Sequence, residues 1–396
     1  MAEEKPGGLN GGGEADKPLA GIRILTLEQF GAAPYGSAFL ADLGAEVIKV
    51  ENPASGGDAS RGVGPFYAGD GDSLYFQSWH ANKKSVLLDL KSPDGRAGFE
   101  RLVRSADAVM NNLRGDLPAK LGLDYAALGK LKPAIVCLHI SAYGRDNERA
   151  ARPGYDFLMQ AEAGLMSLTG DPEGAPARAG VSIIDYMSGA TGTIGLLACL
   201  LRAQKSGIGC DVDVCLFDVA LHQLGYSATW YLNEGYESTR QPRGAHLSLT
   251  PVQSFPTADG WVFVACMTQG FWVELANRLG LPGLAADPRF ATQGARLTNR
   301  AALTAILDAE FRRHPTAHWL DTLAGVLPIG PVNDIARALD NPFVARTGMV
   351  GSVPHPSKGT LRVLANPIRI DGHRLAQRAG SAAGADNETL LGKTAT

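Results

Sequence analysis

The chain has 396 residues, of which 45% are hydrophobic and 19% are charged, and its formal net charge is −3. This length predicts two domains with a sizeable core, since a domain usually has about 100–200 residues. The near-neutral charge gives no reason to expect nucleic acid or an anionic membrane surface as a partner. We find no apolar run that approaches the ~20 residues of a membrane-spanning helix, so the sequence predicts no membrane partner.

The N-terminal stretch "MAEEKPGGLNGGGEADKP" has acidic residues and glycines where a signal peptide would have a basic and then an apolar region. We interpret residues 1–19 as a disordered leader. The five cysteines are scattered singly, which is not the pattern of a disulfide scaffold. Together these features predict a reduced, cytoplasmic protein.

The first part of the chain alternates strand-like and helix-like patterns. The apolar runs "GIRILTL" (21–27) and "AEVIKVE" (45–51) flank "APYGSAFLADLG" (33–44), which has helical periodicity. A strand, a helix and a second strand in this order imply parallel strands. The alternation continues with strands at 85–90, 107–112 and 134–141 and helices at 93–105 and 124–131. The sequence therefore predicts an α/β fold with a doubly wound parallel sheet.

The rest of the chain predicts how the domains divide. A long apolar helix over 186–204 is followed by a strand at 210–217 and then by a further helix. A change in composition near 235 marks the start of a smaller unit. We assign 20–210 and 330–375 to a large Rossmann-like domain, 211–234 to a linker, 235–329 to a smaller α+β domain, and 376–396 to a loosely ordered tail.

A dinucleotide-binding fold is one explanation of the first strand–helix–strand unit. Glu51 lies twenty positions after Gly31, the distance at which such folds keep a ribose-binding acid. The loop after the first strand, "EQFGAAPYG", lacks the G-x-G-x-x-G fingerprint, so the roles of its glycines are unfilled. The sequence therefore disfavours NAD or FAD and leaves open a phosphate-bearing ligand of another kind.

A metal site is also disfavoured. His314 and His318 in "HPTAH" have the i, i+4 spacing of helical metal ligands, but no acid stands between them as in H-E-x-x-H. Surface histidines are the more ordinary explanation. The sequence therefore predicts no bound metal.

Two small basic groups lie next to predicted strands. Lys83 and Lys84 in "NKKS" open one strand, and Arg114 and Lys120 in "NNLRGDLPAKLG" follow another. Loops at strand ends of a doubly wound sheet meet the ligand, so these side chains are candidates to pair with phosphates. The alternative is ordinary solvated surface charge, which the pattern alone favours.

Asp185 is the one charged residue in "AGVSIIDYMSGATG" (179–192), directly before the predicted long helix. The plain explanation is a helix N-cap. The alternative is a nucleophile, because free N–H groups and the helix dipole would keep the carboxylate ionised near neutral pH. The helix then contains Gly189, Gly192 and Gly195, which indicate either close helix packing or room for a ligand or partner chain beside Asp185. Physical reasoning alone leaves these alternatives open.

Five ordered stretches carry a more specific signal. They are "FLADLGAEVIKVENP" (39–53), "NKKSVLLDLKSPDGR" (82–96), "RPGYDFLMQAEAGLMSLTG" (152–170), "SIIDYMSGATG" (182–192) and "LPIGPVNDIARALDNPFV" (327–344). With these stretches the chain, over about 20–370, resembles the class III coenzyme A transferases, a family that includes formyl-CoA transferase, carnitine CoA-transferase and α-methylacyl-CoA racemase. The resemblance implies that Asp185 is the catalytic aspartate, that the large domain binds coenzyme A (CoA), and that two chains form an interlocked homodimer.

The resemblance also implies a CoA site with Tyr155 lining the active site near Asp185. The implied CoA ligands are Gln29, Gly31, Ala32, Lys83, Lys84, Asn112 and Lys120. The chain departs from the family pattern twice: Asn52 stands where an Arg often contacts a phosphate, and Leu113 stands where an aromatic residue is usual.

The implied reaction moves CoA from an acyl-CoA donor to a small carboxylic or dicarboxylic acid through an Asp185 anhydride and an Asp185–CoA thioester, with no metal or redox cofactor. The stretch "GYDFLMQAEAGLMSLTG" resembles the branch that acts on small dicarboxylic acids with succinyl-CoA as donor. One alternative is a 2-methylacyl-CoA racemase or epimerase, which Tyr155 disfavours because the racemases have a histidine base there. The other is a non-catalytic CoA-binding protein, which the presence of Asp185 disfavours.

Overall fold

The computed structural model describes residues 17–392, so most of the predicted leader lies outside the described residues. The strands are β1 (Arg23–Leu27), β2 (Glu46–Glu51), β3 (Tyr67–Gly69), β4 (Asp72–Ser73), β5 (Lys84–Leu87), β6 (Ala108–Asn111), β7 (Val136–Ser141), β8 (Cys210–Cys215), β9 (Val252–Pro256), β10 (Trp261–Ala265), β11 (Ile329–Pro331), β12 (Val350–His355), β13 (Gly359–Leu364), β14 (Arg369–Ile370) and β15 (His373–Arg374). The helices are α1 (Ala32–Asp42), α2 (Leu74–Gln77), α3 (Pro93–Ser105), α4 (Leu117–Lys120), α5 (Tyr125–Leu128), α6 (Asp156–Glu162), α7 (Leu165–Leu168), α8 (Ile183–Ser206), α9 (Leu216–His222), α10 (Tyr226–Glu234), α11 (Gln269–Arg278), α12 (Gly283–Ala286), α13 (Gln293–Thr298), α14 (Arg300–Phe311), α15 (Thr316–Leu323), α16 (Ile335–Leu339), α17 (Pro342–Thr347) and α18 (Asn387–Leu391).

A six-stranded parallel sheet has the strand order β5-β2-β1-β6-β7-β8. Strands β6 and β7 are buried along their whole length, which explains why they are mostly apolar instead of alternating between apolar and polar residues. The strand order reverses between β1 and β6, because the chain adds strands first on one side of β1 and then on the other. Ligands of doubly wound sheets bind outside the carboxyl ends of strands at this reversal. The predicted α/β class with a large parallel sheet is confirmed.

Helices α1 and α8 pack with their backbones in contact. A Cβ built on Gly36 would lie 2.5 Å from the Gly189 carbonyl oxygen, and one built on Gly189 would lie 2.2 Å from the Ala32 carbonyl oxygen. Further along α8, a Cβ on Gly192 or Gly195 would meet side chains of β7 and β8 at 3.0–3.2 Å. The spaced glycines of α8 therefore serve close packing within the fold, which was the plainer of the two explanations.

The chain divides into two compact units. Among the described residues, the first contains the parallel sheet and comprises 17–163, 180–223 and 341–392; the second comprises 164–179 and 224–340. The second unit has a three-stranded antiparallel sheet of order β11-β10-β9 and a core of its own that includes Trp272, Phe290 and Phe311. That this unit folds as a separate small domain stays a prediction.

The unit boundaries differ from the predicted domain limits. The predicted linker 211–234 contains most of β8, which is an edge strand of the parallel sheet paired with β7. Residues 164–179 belong to the second unit, and the first unit resumes at 341 instead of 330. The differences arise because the partner of a strand is set by hydrogen bonds to distant residues, which local composition does not reveal.

The prediction of a loosely ordered tail is wrong for its described part, 376–392. The side chains of Asp386 and Asn387 accept hydrogen bonds of 2.8 Å from the N–H groups of Ser85 and Leu87 in β5, the other edge strand. Leu391 of α18 is buried in the core beside the sheet. The segment thereby covers a sheet edge whose N–H groups would otherwise be unpaired.

The prediction that no segment is long and apolar enough to cross a membrane is also wrong. By length and composition alone, the 24-residue helix α8 passes that test among the described residues. The uninterrupted apolar run is shorter than the helix, because Asp185 and Arg202 lie near the two ends of α8, although the helix as a whole is apolar. In the structure α8 packs against α1, β7, β8 and α9, as the central helix of a folded unit does.

Candidate active site

The carboxyl ends of β1 and β6 lie side by side at the reversal of strand order. The residues just beyond them are joined by two hydrogen bonds: the Gln29 N–H donates to Asn112 Oδ1 (2.9 Å), and Asn112 Nδ2 donates to the Gln29 carbonyl oxygen (2.7 Å). One amide side chain thus satisfies both backbone groups of Gln29. The structure brings these two predicted site residues together, and their pairing fixes the start of the turn between β1 and α1.

This turn places a glycine against Asp185. Phe30 has a φ of +60°, a conformation that is uncommon for a residue with a side chain and that concentrates at functional sites. The next residue, Gly31, approaches Asp185 so closely that an added Cβ would lie 2.6 Å from Asp185 Oδ2. Glycine is therefore the residue that leaves room for the Asp185 carboxylate at this position.

A pocket of about 250 Å³ opens at this edge of the sheet. Among the residues that line it, those predicted for the site are Gln29, Gly31, Ala32, Asn112, Tyr155 and Asp185. Two arginines outside the predicted CoA site, Arg114 and Arg152, also line it. The pocket therefore combines a carboxylate, two cations and several backbone groups within the first unit.

The structure does not support the N-cap explanation of Asp185. Helix α8 begins at Ile183, three residues before the predicted start, so Asp185 lies inside its first turn. The cap is Asp156 at the start of α6, whose Oδ2 accepts hydrogen bonds from the N–H groups of Ile184 (2.6 Å) and Asp185 (3.0 Å). The Asp185 carboxylate is thus not needed as a cap, and it lines the pocket instead.

Burial and the nearby charge of Asp156 raise the pKa of Asp185 to about 7. Both effects disfavour the ionised carboxylate, the first through lost solvation and the second through repulsion. The sequence predicted a carboxylate kept ionised by the start of the helix, and that prediction is wrong because Asp156 binds the N–H groups there. A carboxylate that ionises near neutral pH is a more basic, and so a stronger, nucleophile than an ordinary aspartate.

Tyr155 and Phe30 provide an aromatic wall for the pocket. Tyr155 directly precedes α6 and is 65% exposed. Its ring meets that of Phe30 edge to face, with centroids 6.3 Å apart, and both residues line the pocket. Exposed rings at a pocket offer an apolar surface to a ligand. The structure therefore brings Tyr155 to the same pocket as Asp185.

Lys83 and Lys84 do not line the pocket, so the structure does not bring them together with the other predicted CoA ligands. Lys83 is 3% exposed, and its Nζ pairs with Glu28 Oε1 (2.8 Å) and donates to the Pro34 carbonyl oxygen (3.0 Å). Lys84 pairs with Glu46 (2.6 Å) at the start of β5. The physical reason is position along the strand: both lysines come at the amino end of β5, whereas the ligand edge is at the carboxyl ends.

The third predicted lysine, Lys120, is paired on the surface. Its Nζ lies 2.6 Å from Asp116 Oδ2, and Arg114 Nε lies 2.6 Å from the other oxygen of the same carboxylate. Lys120 does not line the pocket, whereas Arg114 does. Of these two basic residues, Arg114 is the one that the structure places at the candidate site.

A second pocket of about 200 Å³ shares Gln29 and Leu113 with the first. It is also lined by Asn52 and by Lys91, a residue that the sequence analysis missed. Lys91 follows β5 and therefore lies at the carboxyl edge of the sheet. The signal was present in "SVLLDLK", where the last lysine comes after the strand and not before it.

The described residues contain no group of three or more His, Cys, Asp or Glu side chains able to hold a metal ion. His314 and His318 stack on each other with centroids 4.1 Å apart and contact Trp319. Their spacing therefore reflects ring packing at the start of α15.

The amino-acid sequence matches the family model described as CoA-transferase family III over residues 19–387. A succinate–glutarate CoA-transferase of Agrobacterium fabrum is 36% identical over 338 residues, which cover 84% of each chain. A succinyl-CoA:glutarate CoA-transferase of Mus musculus is 33% identical over 91% of this chain and 82% of the mouse protein.

Solved structures give the same result. A CAIB/BAIF family protein of Brucella suis superposes with a TM-score of 0.82 at 33% identity, covering 94% of this chain and 98% of that one. Rv3272 of Mycobacterium tuberculosis superposes with a TM-score of 0.83 at 30% identity, covering 95% and 99%. The chain belongs to CoA-transferase family III and is a CoA-transferring enzyme.

Proposed function

We propose that this enzyme moves CoA from an acyl-CoA donor, with succinyl-CoA as the first candidate, to a small dicarboxylic acid, and that Asp185 is its nucleophile. The observation that carries the proposal is a carboxylate that lines a pocket at the ligand-binding edge of the sheet and ionises near neutral pH. Relatives named for glutarate, oxalate and mesaconate support a dicarboxylic acid as acceptor.

The first half of the reaction transfers CoA to the enzyme. An ionised Asp185 oxygen attacks the thioester carbonyl carbon, the C–S bond breaks, and a mixed anhydride and CoA thiolate form. The thiolate then attacks the Asp185 carbonyl carbon of the anhydride. Its C–O bond breaks, the donor acid leaves as a carboxylate, and Asp185 carries CoA as a thioester.

The second half reverses these steps with the acceptor acid. The acceptor carboxylate attacks the Asp185 thioester carbon and releases CoA thiolate, which leaves an anhydride between the acceptor and Asp185. The thiolate attacks the acceptor carbonyl carbon, so that acyl-CoA forms and Asp185 is released as a carboxylate. Each step is an exchange at a carbonyl carbon, so the proposal includes no metal or redox cofactor.

The two pockets that share Gln29 and Leu113 suit an elongated ligand such as CoA. We assign the thioester end to the pocket that contains Asp185 and Tyr155. The nucleotide end then lies in the second pocket, where Lys91 is the cation at the carboxyl edge. Lysine binds phosphate as a point charge, so Lys91 takes the role that the resemblance gave to Lys83 and Lys84.

Arg152 is our candidate for the distal carboxylate of the acid. It is exposed and lines the pocket with Asp185, and its charge also acts on Glu162. Arg114, the other arginine of the pocket, is already paired with Asp116. A planar guanidinium binds a carboxylate through two parallel hydrogen bonds. A monocarboxylic acid has no second carboxylate to form these bonds once its carboxylate is at the reacting position.

We also propose an intertwined homodimer, as the family resemblance implies. Ile194 and Leu201 are seven residues apart on α8, share a face of that helix, and are 70% and 61% exposed. Exposed apolar surface of this kind marks an interface. Sedimentation at micromolar concentration should give a dimer, and a stable monomer would contradict the assignment. A cytoplasmic location also stays a proposal, which the free cysteines support.

The test of function is an acceptor panel with succinyl-CoA as donor. Dicarboxylic acids of two to six carbons and their monocarboxylic counterparts are assayed for acyl-CoA product by mass spectrometry. We expect turnover with at least one dicarboxylic acid and a much lower kcat/KM for its monocarboxylic counterpart. Arg152→Met should reduce that preference, whereas Arg289→Met, a matched change on the surface of the second unit, should leave it unchanged. Absence of transfer with every pair would refute the proposal.

The racemase alternative needs a separate measurement. A racemase exchanges the proton next to the thioester carbonyl, so a 2-methylacyl-CoA incubated in deuterated water would gain deuterium at that carbon. We expect no incorporation, because the mechanism above does not break that C–H bond. Rapid exchange would establish racemase activity instead.

A further inference from the structure

The carboxylate of Asp156 is buried and fully engaged beside Asp185. Asp156 is 2% exposed. Its Oδ2 accepts hydrogen bonds from the N–H groups of Ile184 and Asp185, and its Oδ1 accepts one from Gln160 Nε2 (2.5 Å). The N-cap position itself is held by Ser182, which makes no side-chain cap bond. The start of α8 is therefore held by a residue 28 positions earlier in the chain.

This arrangement links two residues of the pocket. Asp156 is the first residue of α6, immediately after Tyr155, and it bonds to the backbone N–H of Asp185 itself. A shift of α6 would therefore move Tyr155 and Asp185 together. A bond to a backbone N–H also leaves the Asp185 side chain free to react.

The charge of Asp156 has a second consequence for the reaction. Its carboxylate repels the ionised Asp185 carboxylate, and burial strengthens that repulsion. In the anhydride and in the CoA thioester, Asp185 is neutral, so the repulsion is absent. Asp156 therefore raises the free energy of free, ionised Asp185 relative to the acylated forms.

We propose that Asp156 is a positioning residue that holds the backbone of Asp185 and, through its charge, favours the acylated forms of Asp185 over the free carboxylate. The proposal rests on the proposed function, because it concerns the covalent forms of Asp185. It adds a residue that touches neither substrate nor reacting atoms.

Other groups around Asp185 do not supply this effect. Besides Asp156, the titratable or charged side chains that interact with it or share its pocket are Tyr75, Tyr155, Tyr186, Arg114 and Arg152. Burial raises the pKa of Tyr75 to about 12, and burial likewise raises the pKa of Tyr186, so these phenols are neutral near pH 7. The arginines keep one charge over that range and favour ionised Asp185. Asp156 thus supplies the negative charge that acts on Asp185.

The test compares Asp156→Asn with wild type. Asparagine keeps an oxygen that can accept the N–H bonds of α8 but removes the charge. From the pKa of Asp185 we expect the acid limb of the wild-type pH profile of kcat/KM near pH 7, and we expect Asp156→Asn to move it down by at least one pH unit. We also expect the equilibrium fraction of CoA-acylated Asp185 at fixed acyl-CoA to fall at least threefold. Asp156→Glu keeps the negative charge, so it should hold the acid limb within 0.3 pH unit of wild type. A difference of that size corresponds to about 0.4 kcal/mol.

The controls separate this role from a structural one and from the proposed function. Asp124→Asn changes another capping aspartate, whose Oδ1 accepts from the Ala127 N–H away from the pocket, and it should move neither readout. If Asp156→Asn does not fold, Asp156→Ser, which also keeps an acceptor oxygen without charge, carries the same expectations. Lowered activity with an unmoved acid limb and an unchanged acylated fraction would overturn the proposal. A wild-type enzyme that is never acylated at Asp185 would instead refute the proposed function.

Discussion

Gly31 and Asp185 lie so close that a Cβ on Gly31 would stand 2.6 Å from Asp185 Oδ2 and 3.3 Å from Asp185 Cβ and Cγ. The added methyl group of Gly31→Ala must therefore displace the carboxylate. We expect kcat to fall about 100-fold, the order of loss that follows a ~1 Å misplacement of a reacting group. Steady-state kinetics with the best donor and acceptor pair measures this.

The control for that change is Gly294→Ala. Nothing lies within 4 Å of a Cβ at Gly294 on α13, so this variant should keep full activity. Wild-type kcat in Gly31→Ala would mean that the contact with Asp185 is irrelevant to the reaction.

Lys83 and Lys91 should respond to removal of their charge in opposite ways. Lys83→Met leaves Glu28 buried with one fewer cation, and breaking a buried pair in this way costs about 3–5 kcal/mol of unfolding free energy. Lys91→Met should leave the melting temperature within a degree or two but raise KM for acyl-CoA about tenfold. Thermal unfolding and acyl-CoA titration of both variants check the pair. If Lys83→Met instead raised KM for acyl-CoA and left the free energy of unfolding unchanged, Lys83 would be a CoA ligand.

Asp185 should make the folded protein less stable as pH rises. Its pKa is about 7 in the folded state and about 3.9 in an unfolded chain, so the folded state holds the extra proton between these values. Stability therefore falls as pH increases from about 4 to 7 and then levels off. Asp185→Asn removes this loss. The variant should be about 1–3 kcal/mol more stable at pH 8, a few degrees in Tm, and equal to wild type at pH 4.

Thermal unfolding of both proteins at the two pH values measures that difference. If Asp185→Asn were less stable than wild type at pH 8, the ionised carboxylate would stabilise the folded state, which would contradict this prediction.

The close contact between α1 and α8 predicts that a methyl group added there lowers the free energy of unfolding through steric overlap. Gly36→Ala would place a methyl group 2.5 Å from the Gly189 carbonyl oxygen, and backbone atoms cannot move aside as a flexible side chain can. We expect a loss of about 1–3 kcal/mol. Gly195→Ala on α8 meets a single Val212 methyl group at 3.0 Å and should cost less stability. Denaturant unfolding of both variants provides the comparison, and equal losses would contradict it.

The parts of the fold that local pattern determines could be predicted from the sequence. The alternation of β-branched runs with helical periodicity predicted the parallel sheet. Gln29 and Asn112 were implied by the family resemblance, and in the structure both follow strands at the carboxyl edge. The same rule separates Lys91, which follows β5, from Lys83 and Lys84, which precede or begin it.

Other features depend on residues that are distant in the chain. The cap of α8 comes from Asp156, so no window around Asp185 shows that its carboxylate is spared that role. The raised pKa of Asp185 has the same origin, because both burial and the neighbouring charge are tertiary properties. The bonds from Asp386 and Asn387 to β5 span about 300 residues, and the Ala/Gly-rich composition around them gives no sign of order.

The central claim is that Asp185 becomes covalently acylated, and trapping it tests this most directly. Wild type and Asp185→Asn are incubated with succinyl-CoA, treated with hydroxylamine, digested and analysed by peptide mass spectrometry. We predict a hydroxamate on Asp185 in wild type and no such product in Asp185→Asn, whose transfer rate should fall by several orders of magnitude. A hydroxamate on another residue, or an Asp185→Asn protein that keeps a tenth of wild-type transfer, would contradict the claim.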